Sequence, residues 1–323
     1  MEPMRLDRAR PIYVALFIGL LGCGSDPGYA GRSSREWIVD LESGDTRAKV
    51  DASRALGKVL EVRPDFPMVV DALANALRDT SDAVRVAAAS ALAAEGVDPL
   101  AAVDGLHDVL HDSAHADVRA SVALIIGTLG PRRGIRLLPF LKEALDDPDA
   151  EVRAAVVEAI GALGSAATGE AESIIPLASD SMPQVRQAVV RTLLNLRADA
   201  EVTLPVAIPA LSDAEPSVRA SAALALGALG PQAAPAVPQL ITALTDSDSN
   251  VVQAALFAIT TIGPPARPAL PALRRLQATS SDELAAKVDD AIATVESRPL
   301  RGGDRTEPTM EERCRRGSSD PQC

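Results

Sequence analysis

The sequence predicts an all-α protein, a right-handed α-solenoid of about eight two-helix repeats, on three observations. The phrase VRASVALIIGTLGP at 118–131 returns as VRASAALALGALGP at 218–231, with ten of fourteen letters identical. The phrase is anchored at Val84, Val118, Val152, Val185, Val218 and Val251, with degenerate copies at Ala48 and Leu284. The spacings are 36, 34, 34, 33, 33, 33 and 33 residues. Within each copy, apolar residues fall at positions 1, 4, 5, 8, 9 and 12, the stripe of one buried helix face. A period of this size marks units that bury their apolar face only by stacking on neighbours of their own kind.

Residues 1–22 read as a secretory signal. Arg5, Arg8 and Arg10 precede PIYVALFIGLLG at 11–22, twelve apolar residues where a bilayer span needs about twenty. Leu20-Leu21-Gly22-Cys23 then resembles the lipobox of bacterial lipoproteins, although Glu2, Asp7 and Pro11 are less usual in such a signal. The resemblance implies lipidation of Cys23 and a lipid-anchored protein of the bacterial cell envelope. Gly24 in the next position is compatible with sorting to an outer membrane. Residues 23–34, small and polar, are predicted to be the acylated cysteine and a flexible tether.

Residues 35–297 hold the repeats. The phrase is the second helix of each unit, and a shorter apolar helix precedes it, as in VPQLITALTD at 237–246. Gly130, Gly164 and Gly230 stand where a helix C-terminus favours a left-handed residue, and Pro131 or Pro231 blocks continuation. Asp79, Asp147, Asp180 and Asp213 each precede Arg85, Arg153, Arg186 and Arg219 by six residues, and Asp112 precedes Arg119 by seven. An Asp in that turn can accept helix N-terminal N–H groups. The Arg fork can bind a carboxylate of its own or of the adjacent unit. The pairs are therefore expected to be a structural ladder, since an active site is not repeated at every period.

With these residues in register, the pattern L-x-D-x-x-x-V-R-x-x-A-x-x-A-L-G-x-L-G resembles HEAT repeats, specifically the short HEAT-like repeats found in phycobilisome lyases. Pro139, Pro205, Pro238 and Pro271 stand fourteen residues before the Arg position, as the resemblance implies for the first helix. Val252 and Ala285 replace the Arg, Lys49 does so in the first unit, and Asp71, Gly105 and Glu172 replace the Pro. The end units are expected to be caps or more loosely stacked.

Residues 298–323 carry six Arg, five acids and three Pro without apolar period, and are predicted to be a disordered tail. Cys314 and Cys323 lie in it, and whether they pair stays open. The chain has 32 basic and 44 acidic residues, and loss of residues 1–22 leaves about −13, which argues against nucleic-acid partners. Seven aromatic residues supply no stacking platform. His107, His111 and His115 share a segment, but the turn at Asp112-Ser113 takes His115 off the common face. His107 and His111 remain weak metal candidates, with solvated surface histidines the expected reading and no cofactor assigned. No nucleophile elbow, P-loop or H-E-x-x-H string is present, so no catalytic residue is assigned.

The expected function is therefore a non-catalytic scaffold binding an envelope protein or peptide. Alternatives are a lyase- or chaperone-like protein acting on a chromophore-bearing protein, as the resemblance suggests, or a metal carrier using the His107 segment. Phrase position 7 projects away from the buried stripe and reads Arg54, Ser90, Leu124, Glu158, Arg191, Leu224, Phe257 and Asp290. Arg191, Ala223, Leu224, Leu256 and Phe257 are the candidate partner-binding residues, as an apolar strip beside a cation. Packing of the same residues against the next unit remains the competing reading.

Overall fold

The computed structural model describes residues 26–94, 96–98, 102–279 and 281–297. Cys23, Cys314, Cys323, the signal segment and the tail from residue 298 lie outside the described residues. No helix among the described residues is long and apolar enough to cross a membrane.

The chain opens with a two-stranded antiparallel hairpin, β1 (Gly28–Tyr29) and β2 (Arg32–Ser33). Ala30 and Gly31, both at positive φ, turn it. Here the expected tether is corrected: residues 28–33 fold onto the first helix. Trp37 Nε1 donates to the Tyr29 carbonyl at 3.1 Å. The Arg32 guanidinium covers the Trp37 ring and binds Asp40 at 2.7 Å. A flexible, polar-looking stretch is thus pinned by one aromatic anchor and an ion pair.

Helix pairs follow: α1 (Ser34–Ser43) with α2 (Thr46–Val62), α3 (Pro67–Ala76) with α4 (Asp82–Leu92), and α5 (Val103–Asp112) with α6 (Ala116–Thr128). After one turn, α7 (Gly130–Arg133), come α8 (Leu138–Glu143) with α9 (Ala150–Ala162), and α10 (Ala171–Ile174) with α11 (Pro183–Leu196). The series closes with α12 (Ala200–Ala210) and α13 (Pro216–Ala228), α14 (Val237–Ala243) and α15 (Ser249–Ile262), and α16 (Leu270–Thr279) and α17 (Asp282–Glu296). The result is an α-solenoid in which each second helix packs on the second helices of its neighbours.

The stripe read from sequence is the core. Val152, Val156, Ile160 and Leu163 are fully buried and Ala155 and Ala159 nearly so. The two recurrent glycines of the phrase act differently. Gly130, Gly164 and Gly230 have φ of +70°, +58° and +56°, the left-handed conformation that ends the helix. Arg197 fills the same place in the fifth unit at φ +54°, where an L side chain is strained. The earlier glycine, as in Gly127, is a close approach: a Cβ there would lie 2.9 Å from Ala159 Cα on the next second helix. Pro139 and Pro238 sit in the first turn of α8 and α14, where no helical N–H is lost. Pro205 instead lies inside α12 together with Pro209.

Candidate functional site

The Asp and Arg residues form a ladder whose rungs run between units and which is interrupted at one place. Arg153 Nε and Nη2 donate to Asp180 at 2.8 and 3.0 Å. Arg186 grips Asp213 by two bonds of 2.7 Å, and Arg119 grips Asp147 by two of 2.8 Å. Each Arg also reaches back to the turn before its own helix, but takes the carbonyl there rather than the carboxylate: Arg153 Nη1 binds Asp147 O at 2.8 Å. Each Asp carboxylate further accepts the backbone N–H two residues on, as Asp147 from Asp149 at 2.8 Å.

Two ion pairs extend the ladder beyond the Asp–Arg pairs read from sequence. Arg219 forks onto Asp246 at 2.7 Å, and Lys49 reaches Asp79 at 2.7 Å. Asp246 stands six residues before Val252, so the missing Arg of its own unit concealed a carboxylate used by the unit before. One rung is broken. Ser113, not Asp112, occupies the turn position before α6, and its carbonyl accepts Arg119 Nη1 at 2.7 Å. Arg85 therefore turns to Asp82 of its own helix and to the Ser113 hydroxyl at 3.2 Å, leaving its Nε buried without a partner. The side chain of Asp112 lies outside the described residues.

The forks set the electrostatics. Asp180, Asp213 and Asp246 are held below the ordinary carboxylate range, first by the Arg hydrogen bonds, against an opposing effect of burial. At Asp147 burial is the largest influence and pushes upward, but the Arg119 bonds, the Asp149 N–H and the charges of Arg119 and Arg153 together outweigh it. Arg153, Arg186 and Arg219 are correspondingly raised, chiefly by their carboxylate partners. Among the described residues, the carboxylates of Asp79, Asp147, Asp180, Asp213 and Asp246 are thus engaged in joining units, which is the role of a structural part.

The candidate interaction row is the other periodic feature. Position 7 is exposed in every unit, from Arg54 to Asp290. Leu224 on α13 is 43% exposed and Phe257 on α15 is 48% exposed, while Leu124 on α6 is 43% exposed. Between these apolar positions, Arg191 Nη1 meets Glu158 Oε1 at 3.4 Å, both side chains in solvent. Ala223 and Leu256 are corrected: at 0% and 3% exposure they belong to the core, because position 6 turns back toward the next second helix. Phe257 leans on Gly227, where an added Cβ would lie 2.8 Å from the ring, so a glycine of α13 seats the aromatic of α15.

The histidines divide as the turn dictates. His115 leaves the face of α5 and pairs with Asp82. His107 and His111 stay together with ring centroids 4.6 Å apart, and Glu143 at the end of α8 faces both.

Comparison with known proteins places this geometry. Among proteins of curated function none matches the sequence. The chain is similar in fold to Escherichia coli YibA, with 17% identity, TM-score 0.60, and coverage of 83% of this chain and 93% of that one. It is likewise similar to Kap121p, solved bound to Nup53p, with 15% identity, TM-score 0.59, and coverage of 81% of this chain and 33% of that one. The phycocyanin lyase complex of CpcE and CpcF from Nostoc matches with 24% identity over 85% of this chain and all of that one, but at TM-score 0.42. The model of HEAT repeats matches residues 103–174, 138–212, 171–237 and 204–292, more than half of the sequence. With that match over its periodic units, the chain belongs to the HEAT repeat family.

Proposed function

We propose that the protein is a non-catalytic scaffold, lipid-anchored through Cys23 at the bacterial cell envelope, that binds an extended segment of an envelope protein along position 7 of its second helices. The observation that carries this reading is the exposed row itself. Five consecutive second helices present Leu124, Glu158, Arg191, Leu224 and Phe257, an ion pair bracketed by apolar side chains. At about 8–10 Å between packed helices, the four steps make the row about 32–40 Å long. An extended chain covers that length in about a dozen residues. Apolar anchors near both ends and a charged group at the centre would match it, with Phe257 as the largest contact. The Kap121p structure, solved with a bound protein, supports protein binding only as a use that this fold accommodates.

Photo-crosslinking in the native cell tests the proposal, with probes at Leu224 and Phe257 and a control at the exposed Gln239 of α14. One discrete protein adduct shared by the two row probes, absent from the control and lost when Leu124 is changed to Glu, is the expected result. Adducts indistinguishable among the three probes, or none from a folded protein, would refute it. Anchoring is tested separately by metabolic labelling with a tagged fatty acid: the wild type should be labelled and Cys23→Ser should not, and absence of label from the wild type would exclude the lipid anchor.

A further inference from the structure

We propose that His107, His111 and Glu143 form a binding site for a divalent transition metal of the zinc class, bridging the third and fourth repeats. The two histidines lie one helical turn apart on α5, and Glu143 comes from α8, the first helix of the next unit. One ligand atom from each lies within 4.8 Å of the others. Glu143 Oε2 is 3.4 Å from His107 Nε2 and 3.8 Å from His111 Nε2. Two ligands at the usual zinc distances and the tetrahedral angle are about 3.3–3.4 Å apart, so the His107–Glu143 edge already fits, the His111–Glu143 edge closes by a few tenths of an ångström, and the edge between the histidines, within 4.8 Å, closes by turning the rings.

A second observation points to an occupant. The Nε2 atom of His111 is shielded from solvent and has no hydrogen-bond partner. A buried polar nitrogen left unmatched costs stability unless something binds it, and a metal ion would take its lone pair. The far side of the His107 ring is also arranged. Its Nδ1 lies 3.8 Å from Asp108 Oδ1, and the Asp108 carboxylate is itself held by Arg78 at 2.6 Å. That leaves Nε2 of His107 as the nitrogen turned to the cluster, with a carboxylate near the far nitrogen that would have to approach by about 1 Å to make the hydrogen bond metal-bound histidines commonly have. The His107 ring packs edge-on against Phe140, 5.0 Å between centroids, which fixes it against α8.

Two nitrogens and one carboxylate favour zinc, nickel or copper over calcium or magnesium, which prefer oxygen ligands alone. Glu143 is 59% exposed, so water can complete the coordination. Because the ligands come from two repeats, the ion would bind only when these repeats are stacked, and would clamp them together.

The test is zinc titration by calorimetry of the full chain with its thiols alkylated, since Cys314 and Cys323 would otherwise compete. The variants are His107→Ala, His111→Ala, Glu143→Gln and, as control, His115→Ala. One zinc per chain in the wild type and in H115A, with affinity reduced about tenfold or more in H107A and E143Q, is the expected result. H107A and E143Q alter partly exposed side chains, and their circular dichroism shows whether the helices persist. Zinc should also raise the unfolding temperature of the wild type and H115A, with a smaller rise in the ligand variants. No zinc binding by the wild type, or equal binding by wild type, H107A and E143Q, would overturn the site.

Discussion

Removing the carboxylate of Asp213 tests the ladder most directly. In Asp213→Ala, Arg186 loses two charge-assisted bonds of 2.7 Å and the Glu215 N–H loses its acceptor at 2.9 Å. Arg186 keeps only its bonds to the carbonyls of Asp180 and Ser181. The side chains are 18% and 11% exposed, so the guanidinium is left largely out of water without its counter-ion. Breaking a buried pair costs about 3–5 kcal/mol, and the residual exposure here lowers the expectation to about 3 kcal/mol. The comparison is Glu296→Ala, which opens the Arg274–Glu296 pair, 64% and 46% exposed, at an expected cost below about 1 kcal/mol. Urea unfolding gives the difference. Hydrogen exchange should localise the D213A effect to α11, α13 and their junction, because stability in a solenoid is a sum over neighbouring units. If D213A destabilised no more than E296A, the ladder would not be what joins the units.

Two further predictions follow from the same geometry. Gly164→Ala should cost about 1–2 kcal/mol purely through its backbone, since an added Cβ meets nothing within 4 Å, while Arg197→Gly should gain up to about 1 kcal/mol at the equivalent place. Thermal unfolding measures both, and equal signs would contradict the assignment. Acid should loosen the stack: Asp180, Asp213 and Asp246 have folded values below their unfolded ones, so their contribution is present above about pH 4 and is lost as pH falls through the folded values. The urea midpoint, followed from pH 7 to pH 2.5, should fall below about pH 4, and less steeply in Asp213→Asn. An unchanged slope in that variant would show that other carboxylates govern acid unfolding.

The sequence by itself determined the architecture, because a solenoid repeats one local solution. Val152, Val156 and Ile160 declare a buried face by spacing alone, and Gly130, Gly164 and Gly230 declare a helix stop by their freedom at positive φ. Position 7 was also legible as outward-facing, since helix periodicity fixes direction within one unit. What each unit does to its neighbour was not. The choice of Arg153 for Asp180 rather than Asp147, the use of Asp246 in a unit that lacks the Arg, and the burial of Ala223 and Leu256 depend on how adjacent units are rotated and offset. The same holds for Glu143, 32 residues after His111, and for the hairpin whose polar residues looked like a tether until Trp37 and Asp40 held it. Short-range periodicity is written in the order of residues, whereas contacts between units depend on the rigid-body placement of helices that only packing settles.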